Sequence, residues 1–286
     1  MFPKAIRNVP HLGWVLSPGF DGVVEGVRYR INSLGFRGPE IRRTKPKGRF
    51  RVLCLGDSVT YGVMVHEERT YCSVLEKRLG RMLAPQTVEV INAGVPGYSS
   101  VQVSLHFSQD CLPLDPDLVT LCVGVNDAFT IPNLCDDDEN LYVPWRRFIR
   151  KARKTLGHSR LFTLLDSGVI WLIKRRPTSV NDARSSQGMK PRVDLQSYYD
   201  NLLSIAQTCR RRGIPLLLFS FSLPDDYSRA MQRAAQNSKA YYIDLEPAFE
   251  HAAKTLANNP TTDAQPDVAF ERPHAAAVGR LFAGVY

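Results

Sequence analysis

The chain has 286 residues, of which 44% are apolar and 23% charged; this is enough for one substantial core and excludes a disordered, fibrous or membrane-spanning composition. The formal charge of +9 suits nucleic acid, anionic lipid or an acidic polymer alike and so selects no partner. Cys54, Cys72, Cys111, Cys122, Cys135 and Cys209 form no Cys-x-x-Cys pair and no His-spaced set, which argues against zinc and for reduced, structural thiols.

Residues 1–50 read as an extended lead-in. The segment from Gly22 to Asn32 alternates well enough for a strand or hairpin, and Gly35-Phe36-Arg37-Gly38 marks a turn. No continuous apolar stretch lies between Met1 and Phe20, so neither a secretory signal nor a spanning helix is read there, and a cytoplasmic location is expected unless an anchor preceded Met1. From residue 51 onward, short apolar runs alternate with helical patterns. Strands are predicted at Arg51 to Leu55, Val88 to Asn92, Leu118 to Val123, Ile214 to Ser220 and Tyr241 to Leu245. Helices are predicted at Thr70 to Leu83, Ser100 to Cys111, Leu195 to Arg212, Asp226 to Ser238 and Ala275 to Ala283. The strand runs lack strict alternation, as suits strands buried on both faces, so the expected fold is a three-layer α/β/α, flavodoxin-like sandwich around a five-stranded parallel sheet.

Residues 131–193 interrupt this rhythm at a length no ordinary loop reaches, and they are read as a structured cap or lid over the strand ends. Within them Leu161 to Ile173 is largely apolar and flanked by Arg160 and Lys174-Arg175-Arg176. A cap helix on the core is expected there, with a helix docked on anionic membrane as the sharper alternative. Two basic clusters, Arg42, Arg43, Lys45, Lys47, Arg49, Arg51 and Arg146, Arg147, Arg150, Lys151, Arg153, Lys154, read as solvated faces.

In a doubly wound sheet, ligands bind beyond the carboxyl ends of the strands. The first predicted strand runs into Gly56-Asp57-Ser58, the second into Asn92-Ala93-Gly94-Val95-Pro96-Gly97, and the third into Gly124-Val125-Asn126-Asp127. After the fifth, a long loop leads to Glu271-Arg272-Pro273-His274. Together they supply a hydroxyl nucleophile, backbone and amide donors for an oxyanion, an imidazole base and a carboxylate to orient it, the set that acyl transfer requires.

In these four blocks the chain resembles the SGNH hydrolases, the GDSL esterase and lipase family, over roughly residues 51–286. The resemblance implies Ser58 as nucleophile and His274 as base, with the Ser58 N–H, the Gly97 N–H and the Asn126 amide as oxyanion hole. Asn32 to Gly38 is similar to the lead-in of bacterial members. Family members carry Asp three residues before the His, where this chain has Glu271; Glu271 is taken as the orienting acid, with Asp267 as the alternative. Asp57, Tyr98 and Asp127 are expected near the substrate. The implied activity is hydrolysis of short-chain acyl esters, with an O-acetylated carbohydrate as one carrier, through an acyl-enzyme and without metal or organic cofactor.

Two other readings use the same residues. One is acyl transfer to a sugar hydroxyl; the other is a weakly active module that binds acylated glycan or a membrane surface. No Gly-x-Ser-x-Gly elbow surrounds Ser58, and no Gly-rich phosphate loop follows a strand, so an α/β-hydrolase and a nucleotide-binding protein are disfavoured, and no nucleic acid is expected as partner.

Overall fold

The computed structural model describes residues 5–9, 12–24, 26–129 and 191–251. The segment predicted as a helix at Leu161 to Ile173, most of the 131–193 insertion, the last predicted helix, and His274, Glu271 and Asp267 lie outside them.

Two antiparallel hairpins open the chain. The first pairs β1 (Ile6–Val9) with β2 (Gly13–Leu16), and the second pairs β3 (Asp21–Val24) with β4 (Val27–Arg30). The sequence suggested only the second. Short strands with polar residues on alternate positions are weak local signals, and their burial comes from what they pack against.

All five predicted core strands form, within two residues of their expected ends: β5 (Arg49–Gly56), β6 (Thr87–Gly94), β7 (Leu118–Cys122), β8 (Leu216–Ser220) and β9 (Tyr241–Asp244). They pair in parallel in the order β6-β5-β7-β8-β9, which is the flavodoxin-like order. The helices are α1 (Ser58–Tyr61), α2 (Tyr71–Met82), α3 (Ser100–His106), α4 (Val125–Ala128), α5 (Leu195–Arg211) and α6 (Asp225–Ser238). Beyond His106 the helix predicted to run to Cys111 widens into a π turn, Phe107–Cys111.

Alternate residues of β5 separate the two faces. Leu53 and Leu55 join the large core with α3, α5 and α6, whereas Val52 and Cys54 face Cys72 of α2. The lead-in enters the large core as well: Tyr29, Ile31 and Phe36 are buried in the same cluster as Leu53 and Leu121. The last two residues assigned to the insertion also belong to the core. Val193 is fully buried, and Arg192 is nearly so.

One basic cluster is not a solvated face throughout. Arg51 has no exposed surface; its guanidinium reaches Glu89 Oε2 at 2.6 Å and the carbonyls of Arg42 (2.9 Å) and Leu114 (2.5 Å). Lys45 pairs with Asp115 and Asp117. Arg49 and Arg51, two positions apart in β5, lie on the same face of the strand, and both reach Glu89, the partner that a buried cation needs. The five described cysteines are free and buried.

Candidate active site

The nucleophile candidate sits where β5 becomes a helix within two residues. A side chain at Gly56 would overlap Thr60 Oγ1 and the Cys122 carbonyl, so only glycine lets the chain turn this closely under its own next helix. Asp57 caps that helix, its Oδ1 accepting the Val59 N–H at 2.9 Å. Gly62, at φ 78°, closes it, donating to the carbonyls of Ser58 (3.0 Å) and Val59 (3.2 Å). Ser58 is thereby raised to the first position of α1, half-buried, and its own N–H has no acceptor among the described residues.

The sheet register brings the other two blocks to the same level. Gly56 stands opposite Gly94 of β6 and Cys122 of β7, so the loops that follow all three strands leave from one rim. The Val95 N–H donates to the Gly56 carbonyl at 3.1 Å, which ties the glycine loop to the strand that leads into Ser58. Gly97 (φ 82°) is half-buried, and its N–H also lacks an acceptor among the described residues. From the third rim, Asn126 Nδ2 donates to Asp57 Oδ2 (3.3 Å) and to the Tyr98 carbonyl (2.9 Å). One amide thus bridges the serine block and the glycine block.

Asp57, Tyr98 and Asp127 lie beneath this rim, each with at most 1% of its surface exposed. The Tyr98 hydroxyl donates to the Trp14 carbonyl at 2.6 Å. The Asp127 carboxylate accepts the Ser100 N–H at the start of α3, at 2.9 and 3.1 Å from its two oxygens. Burial raises both carboxyls, Asp57 to about 6 against the opposing pull of the Val59 N–H, and Asp127 to about 7 against that of Ser100.

Three residues around the rim have partners that no local sequence signal indicates. Trp14 donates its indole N–H to the Pro96 carbonyl at 3.0 Å. Arg192 donates to the Gly97 carbonyl at 2.6 Å and to Gln102 Oε1 at 2.6 Å. Arg37 donates to the carbonyls of Tyr61 (2.7 Å) and Gly62 (2.6 Å) at the end of α1. Trp14 and Arg192 lie 82 and 95 positions from the carbonyls they hold, a separation no motif spans. Arg37 lies inside Asn32 to Gly38 and Arg192 at the end of the 131–193 insertion, segments that the sequence marks without assigning either side chain a role.

Among the described residues no group of three or more His, Cys, Asp or Glu could hold a metal ion, and no helix is long and apolar enough to cross a membrane.

The chain is similar to several solved structures. TesA matches at 18% identity over 82% of this chain and 95% of that one, with a TM-score of 0.47. A catalytic mutant of Axe2, an acetylxylan esterase from Geobacillus stearothermophilus, matches at 16% identity over 82% and 92%, with a TM-score of 0.45. AlinE4, an SGNH-hydrolase family esterase, matches at 18% identity over 84% and 94%, with a TM-score of 0.44. No curated protein matches. The sequence model of the GDSL-like lipase/acylhydrolase family matches residues 54–269, a segment that includes the serine, glycine and asparagine blocks and ends before Glu271 and His274. With well over half its length in that match, the chain belongs to the GDSL-like lipase/acylhydrolase family and is a carboxylic ester hydrolase.

Proposed function

We propose that the protein is a serine esterase that hydrolyses short-chain acyl esters through a covalent acyl-enzyme on Ser58. Ser58 Oγ attacks the ester carbonyl as His274 takes its proton. The alkoxide that forms accepts hydrogen bonds from the Ser58 N–H, the Gly97 N–H and the Asn126 amide. His274 then protonates the leaving alcohol, and water, activated by the same imidazole, releases the acid. Glu271 orients His274 in this scheme, with Asp267 as the alternative.

The observation that carries this reading is the shared level of Gly56, Gly94 and Cys122 in the sheet. It brings two amide N–H groups with no acceptor among the described residues and one side-chain amide to the neighbourhood of a single half-buried hydroxyl. Of the two bonds Asn126 makes, the 3.3 Å contact to Asp57 is the longer and weaker, so it is the one an oxyanion would replace.

Fluorophosphonate labelling and turnover of p-nitrophenyl acetate test the scheme. Wild-type protein labels and turns over, and Ser58→Ala does neither; equal labelling of the two would remove the nucleophile. The acid is separated by ranking two variants. Glu271→Gln lowers kcat more than Asp267→Asn, and the opposite ranking moves the role to Asp267. The short acyl group, and an O-acetylated carbohydrate as its carrier, come from the sequence resemblance. A p-nitrophenyl ester series in which kcat/KM falls beyond butyrate supports the first, and acetate release from acetylated oligosaccharides supports the second.

A further inference from the structure

Three consecutive carbonyls of the glycine loop are each held by a different side chain: Pro96 by Trp14 (3.0 Å), Gly97 by Arg192 (2.6 Å) and Tyr98 by Asn126 (2.9 Å). The donors arrive from β2, from the end of the insertion and from α4. The first of them bears on chemistry. A peptide unit is planar and trans, so the Pro96 carbonyl and the Gly97 N–H share one rigid plane and point in opposite directions. Whatever fixes the carbonyl also aims the N–H.

That plane needs fixing. Val95-Pro96-Gly97-Tyr98 closes with a Tyr98 N–H to Val95 carbonyl bond of 3.2 Å, and Gly97 sits at φ 82°. Proline at the second position and a positive-φ glycine at the third make this a type II turn, which differs from type I by a flip of the central peptide. Glycine tolerates both states at similar energy. In the flipped state the Gly97 N–H would face the opposite way.

Trp14 is itself immobilised on the loop it holds. Its carbonyl accepts the Tyr98 hydroxyl at 2.6 Å, its ring meets that of Tyr98 edge-on at 5.8 Å, and the Arg192 guanidinium lies 5.7 Å from the ring centre. A side chain at Gly97 would press on the indole at 3.1 Å, so the ring lies close against the Gly97 backbone.

We propose that Trp14 is a positioning residue for the ester hydrolysis: its indole N–H holds the central peptide of the Val95–Tyr98 turn in the type II state and keeps the Gly97 N–H directed at the oxyanion. This rests on Gly97 being an oxyanion donor, as read above.

Trp14→Phe keeps a ring and removes the N–H. In this variant kcat for p-nitrophenyl acetate falls roughly 10- to 100-fold, less than the roughly 10²- to 10³-fold loss on deleting a donor outright. KM stays within about twofold, because the lost interaction belongs to the transition state. The decisive readout is the ratio of kcat/KM for the ester to that for its thionoester. Sulfur is a poor hydrogen-bond acceptor, so misaiming a donor hurts the oxygen substrate more, and the ratio falls with kcat. Unchanged kcat, a change in KM alone, or an equal fall for both substrates would overturn the proposal. Should Trp14→Phe not fold, the benzothienyl isostere of tryptophan at position 14 removes the N–H at constant shape and is judged by the same readouts. Ser58→Ala is measured alongside. If it retains turnover, the nucleophile reading has failed; if it is dead while Trp14→Phe matches wild type, only the role of Trp14 has.

Discussion

Asp127 shows how one buried carboxyl makes stability depend on pH. It has no exposed surface, and desolvation lifts it to about 7 even though the Ser100 N–H favours its charged form. In the unfolded chain the same group titrates near its ordinary value, about 3.9. Between those two values the folded protein retains a proton that the unfolded chain has lost, so the unfolding free energy falls as pH rises and levels off above about 7. Asp57, raised to about 6 by its burial, acts in the same direction over a narrower window. Asp127→Asn removes one titrating group while keeping an oxygen for the Ser100 N–H. Its melting temperature should therefore gain on the wild type as pH goes from about 4 to 7.5. Parallel melting curves for the two proteins across that range would show that Asp127 titrates normally in the folded state.

At the scale of elements, the core strands were legible because each is rich in Val, Ile, Leu or Tyr: the second halves of β5, β6 and β7 are buried and end in glycine or cysteine at the rim, while β9, at the sheet edge, stays largely exposed. The βαβ rhythm gives a parallel sheet with right-handed crossovers, but it does not by itself choose among the doubly wound strand orders. The helices were equally plain where capping residues mark them, as Thr70 and Asp194 do for α2 and α5. The first hairpin was not legible. β1 and β2 are short, and only Leu16 of their eight residues is buried. The worth of β2 lies in Trp14, whose indole finds its acceptor 82 positions away. The π turn at Phe107–Cys111 was hidden for a different reason: it obeys the same apolar pattern as the helix it ends. The glycine loop was legible as a motif in the sequence, but the side chains that hold its carbonyls come from the lead-in and from the end of the insertion, where contact depends on tertiary packing.

For the molecule as a whole, the lead-in is a brace for α1, the helix that begins at Ser58, and Arg37 is its point of attachment. Arg37 is 3% exposed and pairs through its backbone with Asn92 of β6. Its guanidinium donates to the carbonyls of Tyr61 (2.7 Å), Gly62 (2.6 Å) and Val65 (2.5 Å), the end of α1 and the turn after it. It lies 4.6 Å from the Tyr29 ring centre and 4.9 Å from that of Tyr61. An α1 of four residues is too short to hold itself together, so its C-terminal carbonyls need an external donor. A cation at a helix C-terminus also meets the favourable end of the dipole. Burial works against the charge and lowers the pKa of Arg37, so the contacts must outweigh desolvation. Truncation to alanine would take its donor from the Val65 carbonyl, at a cost of about 1–3 kcal/mol if it is left unpaired, whereas the Tyr61 carbonyl keeps Asn92 Nδ2 (3.3 Å) and the Gly62 carbonyl keeps the Val65 N–H (3.1 Å). Arg37→Ala should thus lose about 1–3 kcal/mol in urea unfolding, with kcat for p-nitrophenyl acetate reduced because Ser58 rides on the loosened helix. Arg37→Lys keeps the charge but not the fork that reaches three acceptors, so it should recover less than half of the loss. If Arg37→Lys matches wild type in both stability and kcat, the charge alone suffices, and the forked geometry that joins the lead-in to the nucleophile helix is dispensable.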